Sequence, residues 1–502
     1  MKTDVNHNLL HKRVSFLTYP FFILFFLCFV GRSFSQWIPD STATTAYQLA
    51  LSLMLDDAEK ATHNTDLPAH LYIHHLSKAI RAVINENDEI VNEFEQYHSY
   101  SYDRIQVIAS GKDNPYQRFY RAEMQLQSAF VHIKNNETWS GVLDLRRAYI
   151  IIKANKEAFP DFLPNNKTLG LIHIIIGSIP DKYQWVFSIL GINGEVQQGL
   201  AELDKLANSN NMFRQEAKIL IALVNAYILQ HPSIAVDELH SLYQNNTNNI
   251  LFGYIYASLL MKNSNSDKAL AVLDHLLSIK NKKTISFPIL EYLKAEILLQ
   301  KGNYSSSISW YQHFIKWQQG NSFIKDAYYK IAISHLLQGA NEKATEYIDL
   351  AIANGSTNTE VDKYAQTQLV NRTLPNPTIV RLRYATDGGY YERANALISQ
   401  VGDFHFAEKI DEVEFNYRKA RLYHKTGKTG MAIALYKVTI NATKNEEWYF
   451  GPNSALQLGY IYEAEKEIEM AKKYFKMAMN FNNHEYKNSI DNKAKSALAG
   501  LE

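Results

Sequence analysis

Few residue groups in this chain have the spacing that chemistry needs. Gly427-Lys428-Thr429 matches the end of a phosphate-binding loop, but that loop also requires a glycine five residues earlier and a preceding strand. Leu422 stands there, and Arg421 to Lys425 reads as helix. A turn between helices accounts for the glycine. His74 and His75 are adjacent, so on a helix they face different sides and cannot share one metal. His484-Glu485 lacks the second histidine of a zinc helix, and Asp387-Gly388-Gly389 lacks the further acids of a calcium loop. No Gly-x-Ser-x-Gly elbow occurs. Paired carboxylates for glycoside cleavage can lie far apart in a chain, so a hydrolase with dispersed acids is kept only behind the two readings given below. No metal site and no cofactor is expected.

The first 35 residues read as an export signal. Lys2, Lys12 and Arg13 make a basic start, and Val14 to Val30 is nearly continuous apolar sequence. Ser33 and Ser35 then place small residues at the −3 and −1 positions of a cleavage before Gln36. A retained membrane anchor is the alternative, but the run is only about 17 residues, at the lower end for a span, and Pro20 interrupts it. Cys28 is the one cysteine, and Leu27 before it is too large for a lipoprotein site. Cleavage after Ser35 therefore leaves a chain without disulfides or thiolate ligands. The formal net charge of the whole chain is +1, so nothing in it steers toward nucleic acid or an anionic membrane. The expected location is the periplasm or an association with the outer membrane.

Helices must supply whatever surface this chain offers. It holds 32 Tyr but only 21 Gly and 12 Pro in 502 residues, and no stretch shows strand alternation. From Gly253 onward a two-helix unit returns. A small residue recurs at Ala257, Ala295, Ala332, Ala420 and Gly459, with Leu382 in the fourth copy; the steps are 37 to 39 residues except one of 50. Twelve residues after each come Ala269, Ser307, Ala344, Ala394, Ala432 and Ala471, and four later Leu273, Tyr311, Ile348, Ile398, Tyr436 and Phe475. Small side chains let two antiparallel helices approach where they cross, and the larger one fills the groove beside them. Gly302, Gly339, Gly388-Gly389 and Gly427 mark the turns. The clearest copy, Leu458-Gly459-x-x-Tyr462 with Ala471, Phe475 and Ala478, resembles the tetratricopeptide repeat. That resemblance implies an all-α helical-hairpin solenoid, whose business is binding.

The long third step makes room for an extra helix over Glu360 to Thr373, ended by Pro375 and Pro377. It is either a break and hinge in the stack or an insertion without consequence. Leu382 should widen the crossing that follows. Earlier, helices are expected over 46–61, 69–97, 115–134 and 141–156, and Leu169 to Ile179 is apolar all round, as a buried helix would be. His173 within it is expected to bond a carbonyl in the core. Ala158-Phe159-Pro160-Asp161-Phe162, the apolar helix, and Gly194-x-x-Gln197-Gln198-Gly199-Leu200-x-x-Leu203 resemble the middle of the eukaryotic tetratricopeptide-repeat thirty-nine family. The resemblance implies an all-helical repeat protein without known catalytic residues; the export signal departs from that intracellular family.

These readings divide the chain into a signal (1–35), an irregular helical region (36–210), repeats with the extra helix (211–373) and C-terminal repeats (374–502). In such a stack the first helix of each pair lines the concave groove three before, one after and four after its small residue. The positions are Tyr292, Glu296 and Leu299; Tyr329, Ile333 and Leu336; Tyr417, Arg421 and His424; Leu456, Tyr460 and Glu463. Of these, Tyr292, Glu296, Tyr329, Tyr417, Arg421, His424, Tyr460 and Glu463 are the candidate partner-binding residues. Tyrosine gives contact area at small entropic cost, and the same tyrosines could instead pack between neighbouring helices. The Lys/Asn pattern that clamps a C-terminal carboxylate in some tetratricopeptide repeats is absent from these positions. The expected function is a non-enzymatic interaction scaffold of a bacterial envelope, with a protein partner; a glycan-binding protein on the same helices is the alternative.

Overall fold

The computed structural model describes residues 37–501, apart from 64, 110–112, 180, 280–282, 371–373 and 403–405. The export signal, its cleavage site and Cys28 lie outside the described residues. Among those described, twenty-five α-helices occur and no strand. None of the helices is long and apolar enough to cross a membrane.

Eleven helices precede the repeats: α1 (Ser41–Leu51), α2 (Leu55–Thr62), α3 (Pro68–Asn85), α4 (Asp88–Ala109), α5 (Pro115–Lys134), α6 (Thr138–Ala158), α7 (Asn165–Gly177), α8 (Asp181–Ile189), α9 (Val196–Ala207), α10 (Arg214–Leu223) and α11 (Pro232–Gln244). Two expected helices are each split. Over 46–61 the chain breaks where Leu53 takes φ 58°, and over 69–97 it breaks at left-handed Glu86. Apolar periodicity carries across both breaks because each turn keeps the next helix on the same core. Asn87 then restarts α4, its Oδ1 accepting from the Glu89 amide at 2.8 Å. Nearly all of α7 is buried, as its composition requires. Gly199 of α9 makes the crossing with α7 possible: a Cβ there would lie 2.4 Å from the Gly170 carbonyl oxygen. His173 bonds a carboxylate and not a carbonyl, its Nδ1 lying 2.7 Å from Glu202 Oε2.

The repeats are α12 (Ile250–Lys262) with α13 (Ser266–Ser278), α14 (Ile289–Lys301) with α15 (Tyr304–Trp317), and α16 (Ile324–Leu337) with α17 (Asn341–Ala353). The extra helix follows as α18 (Glu360–Leu369). Then come α19 (Pro377–Asp387) with α20 (Tyr391–Val401), α21 (Lys409–Lys425) with α22 (Thr429–Ala442), α23 (Phe450–Ala464) with α24 (Ile468–Asn480), and a closing α25 (Lys487–Ala499). The small positions sit in the crossings: all five alanines of the second set are fully buried, and the hydroxyl of Ser307 donates to the Ala295 carbonyl at 2.8 Å. At Gly459 a Cβ would meet the Phe475 ring at 2.3 Å, so glycine is what lets that phenylalanine in.

The stack turns at α18. Thr359 caps it, and buried Asp362 accepts from the Phe323 and Asp326 amides at 2.7 and 3.0 Å, fastening α18 to the start of α16. The chain then doubles back. Arg381 of α19 donates to the Leu337 carbonyl at 2.7 Å, Arg393 to the Gln300 carbonyl at 3.1 Å, and the Ser266 amide to the Gly388 carbonyl at 3.4 Å. The fourth repeat thus lies across the ends of α12, α14 and α16. Gly389, at φ +84°, comes so close to Ser264 that a Cβ would lie 2.0 Å from its carbonyl oxygen. At the far end Asn492 of α25 donates to the Ser178 carbonyl, just past α7, at 3.3 Å. Between these contacts Lys262, at the end of α12, comes within electrostatic reach of Arg421, Lys425 and Lys493 of the C-terminal block.

Candidate functional site

Most of the expected groove positions are closed by neighbours. Tyr292 is 4% exposed, ringed by Tyr311, Phe314 and Phe323, with its hydroxyl donating to Asp326 at 2.5 Å. Tyr329 is 3% exposed under Tyr364 of α18. Tyr417 is 2% exposed against Tyr436, Tyr449 and Phe450, and its hydroxyl accepts from Asn453 Nδ2 at 2.7 Å. Glu296 is recessed between Lys330 and the Tyr311 hydroxyl, the latter 2.8 Å away. These four are packing residues: the next repeat, or the inserted helix, covers the face that the alignment assigns to a partner. Leu299, Ile333, Leu336 and Leu456 are buried likewise.

Arg421, His424, Tyr460 and Glu463 keep part of their surface open. They stand on the inner side of the C-terminal block, where it faces the first block. Gln457, one turn before Tyr460, accepts from Arg421 and fixes its direction. The Tyr460 hydroxyl is buried without a hydrogen-bond partner among the described residues. His424 lies beside Tyr436, and burial with the charges of Arg421 and Lys425 pushes it down to about 4, so it is neutral at physiological pH.

Three lysines that the repeat alignment does not single out join Arg421 here. Lys425 follows it by one turn on α21, Lys493 comes from α25, and Lys262 ends α12 on the opposite block. Lys262 is held from below by a π-helical turn, Val224–Ile228, that continues α10. Its ammonium lies 5.5 Å from the Tyr227 ring centre and 3.3 Å from Gln230 Oε1. Burial, then the charges of Lys493, Arg421 and Lys425, press Lys262 down to about 7; Asp387 pulls the other way. Burial and Arg421 bring Lys425 and Lys493 to about 8 each. None of Lys262, Arg421 or Lys425 forms a salt bridge among the described residues. All four are half-buried, so solvent reaches them. The only sequence sign of this cluster is the Arg421–Lys425 spacing of one helical turn; the fold-back at α18 brings the rest.

The motifs weighed for catalysis resolve into structure. Gly427 is a repeat turn at φ +72°. His74 stacks on Tyr97 at 4.5 Å while His75 turns to His98, 2.9 Å between ring nitrogens. Among the described residues no three His, Cys, Asp or Glu side chains gather as a metal site.

The tetratricopeptide repeat family matches residues 292–321 and 452–484, which are α14 with α15 and α23 with α24. No curated protein matches the chain. Among solved structures, the human IFIT1 dimer with PPP-AAAA is similar over 95% of this chain and 94% of its own, at 13% identity and a TM-score of 0.36. The apo quorum sensor NprR from B. thuringiensis is similar over 88% and 97%, at 12% identity and a TM-score of 0.29. Similarity at that level carries nothing about a ligand. The chain is a tetratricopeptide-repeat protein, and its repeats support a protein-interaction scaffold.

Proposed function

We propose that this chain is a non-enzymatic scaffold of a bacterial cell envelope, exported by its N-terminal segment, which seats part of a partner where its two blocks meet. The observation that carries this is the side of α21, α23 and α25 nearest the end of α12: Arg421, His424, Tyr460, Glu463, Lys262 and Lys493 are half-buried there, while Tyr292, Tyr329 and Tyr417 are packed away. Rigid helices present them, which lowers the cost of ordering on binding. The basic start and apolar run of residues 2–30 support export. A glycan partner is less favoured, because Tyr292, Tyr329 and Tyr417, whose faces would stack on sugars, are buried.

Crosslinking in intact cells with tagged full-length protein, followed by mass spectrometry, tests the scaffold. A photo-crosslinker at position 424 should capture a reproducible protein, and one at position 438, exposed on the outer helix α22, should not. Equal capture from both positions, or none where control envelope complexes are recovered, would overturn the reading.

A further inference from the structure

On one side of α15 three rings stand in a row at helical spacing: Trp310, His313 and Trp317. The ring centres of Trp310 and His313 lie 5.9 Å apart, and those of His313 and Trp317 6.2 Å. Tryptophan is mostly buried in folded proteins, yet Trp317 is 51% exposed. The repeat does not call for this row. The matching positions are Val272, His275 and Ile279 on α13, and Tyr347, Leu350 and Asn354 on α17, so the neighbouring pairs are built without it.

The exposed indole is also held. Its Nε1–H donates to His313 Nε2 at 3.2 Å, and His313 Nδ1 lies 2.8 Å from Glu291 Oε2 on α14. These contacts fix the plane of a ring that core packing leaves free, so stacking on it costs the protein little further ordering. At the other end of the row Lys294 of α14 sits against Trp310, its ammonium 4.1 Å from the ring centre. Asp274 of α13 holds the same ammonium at 2.6 Å, so α13, α14 and α15 meet at Lys294. Lys316 lies beside Trp317, with its ammonium 5.3 Å from the ring centre. Two lysines thus stand against Asp274 and Glu291. Charge around the row balances, and the groups offer both donors and acceptors.

A ligand that fits such a surface has a flat apolar face, no net charge and many hydroxyls. A pyranose has all three: its axial C–H bonds stack on an indole, and the hydroxyls at its edge bond a carboxylate or an ammonium. We propose that Trp317, with Trp310, Lys294 and Asp274, forms a binding site for a neutral oligosaccharide on the open side of the second repeat. Trp317 stacks one sugar, and Lys294 and Asp274 bond the hydroxyls of another. Seven residues separate the two tryptophans, about 10.5 Å at the helical rise, so the site takes a short chain and not a single sugar. The assignment goes beyond the scaffold reading and shares no residue with it; the tyrosines buried in the inner groove play no part here.

Isothermal titration of the full-length chain with neutral hexasaccharides tests this, using β-linked glucose, xylose, mannose and N-acetylglucosamine and α-linked glucose. Binding of at least one is expected. Its affinity should fall at least tenfold in Trp317→Ala, and by less in Trp317→Phe, which keeps a ring, and in Asp274→Ala. Trp185→Ala, which removes a tryptophan 61% exposed on α8, should leave it unchanged. Unchanged melting of each variant separates lost binding from lost folding; where Trp317→Ala unfolds, Trp317→Phe and Asp274→Ala carry the test. Binding of none of the sugars, or equal affinity in wild type and the Trp317 and Asp274 variants, would overturn the proposal. A decaproline peptide whose binding depends on Trp317, where no hexasaccharide binds, would overturn it too and assign the row to a protein segment. Crosslinking from position 424 can fail while a hexasaccharide binds, so the scaffold and the sugar site stand or fall separately.

Discussion

Lys167 and Lys262 are both recessed lysines, but their surroundings have opposite character. Lys167, in the helical region before the repeats, lies 2.5 Å from Glu123 and 3.3 Å from Glu216, and Glu123 also receives the Thr168 hydroxyl at 2.7 Å. Its charge is cancelled by side chains that the fold itself supplies. Lys262 donates to Gln230 Oε1 at 3.3 Å and feels the like charges of Lys493, Arg421 and Lys425, with Asp387 the opposing acid. Paired charge in a core is held by its partners, whereas like charges held close together raise the energy of the fold.

The largest effect should come from breaking the paired side of this comparison. Lys167→Met strips the cation from two buried glutamates and should cost about 3–5 kcal/mol, read from the denaturant midpoint of the full chain. A loss below about 1 kcal/mol would mean the glutamates are already neutral and the triad holds little. Next is Tyr417→Ala, which empties a closed aromatic cluster and should cost about 3 kcal/mol. Arg421→Gln, one turn along the same helix face, should change stability by under about 0.5 kcal/mol. If the two behave alike, the division between packed and open groove positions is wrong.

The contrast also sets a pH dependence. Lys262, Lys425 and Lys493 have folded values near 7 to 8 against an ordinary 10.5, so between those values the unfolded chain binds more protons. Stability must then rise as pH climbs from 7 toward 9. Histidines act on the acid side: burial holds His74 and His98 at about 4 against 6.5, so stability falls as pH drops from 6.5 toward 4. Thermal melts from pH 7 to 9 should show an upward slope, and a plateau there would mean that these lysines do not repel; below pH 7 buried Asp362, raised to about 7, acts against the histidines.

The helix pairing was legible because a crossing imposes a residue type: only Ala, Ser or Gly fits where α14 meets α15 or α23 meets α24, and that constraint recurs in register. The extra helix was legible from the long third step and its prolines. Which groove positions stay open was not. The alignment says that Tyr329 points inward, but Tyr364, on a helix outside the repeat, covers it. Phe323 covers Tyr292 from a connection that has no repeat signature. Lys262 and Lys493 were invisible for a related reason: α18 turns the stack back on itself, and no local pattern encodes which distant residues then meet. The near-zero net charge averages over the whole chain and so conceals a cluster of four.

The most direct test is the melting temperature of Lys262→Met, which keeps the aliphatic stem and removes the charge. If burial and like charges burden Lys262, the free variant melts above wild type and the gain shrinks as the pH is raised from 7 to 9. A variant that melts below wild type at pH 7 would show that Lys262 serves the fold, and would contradict the account.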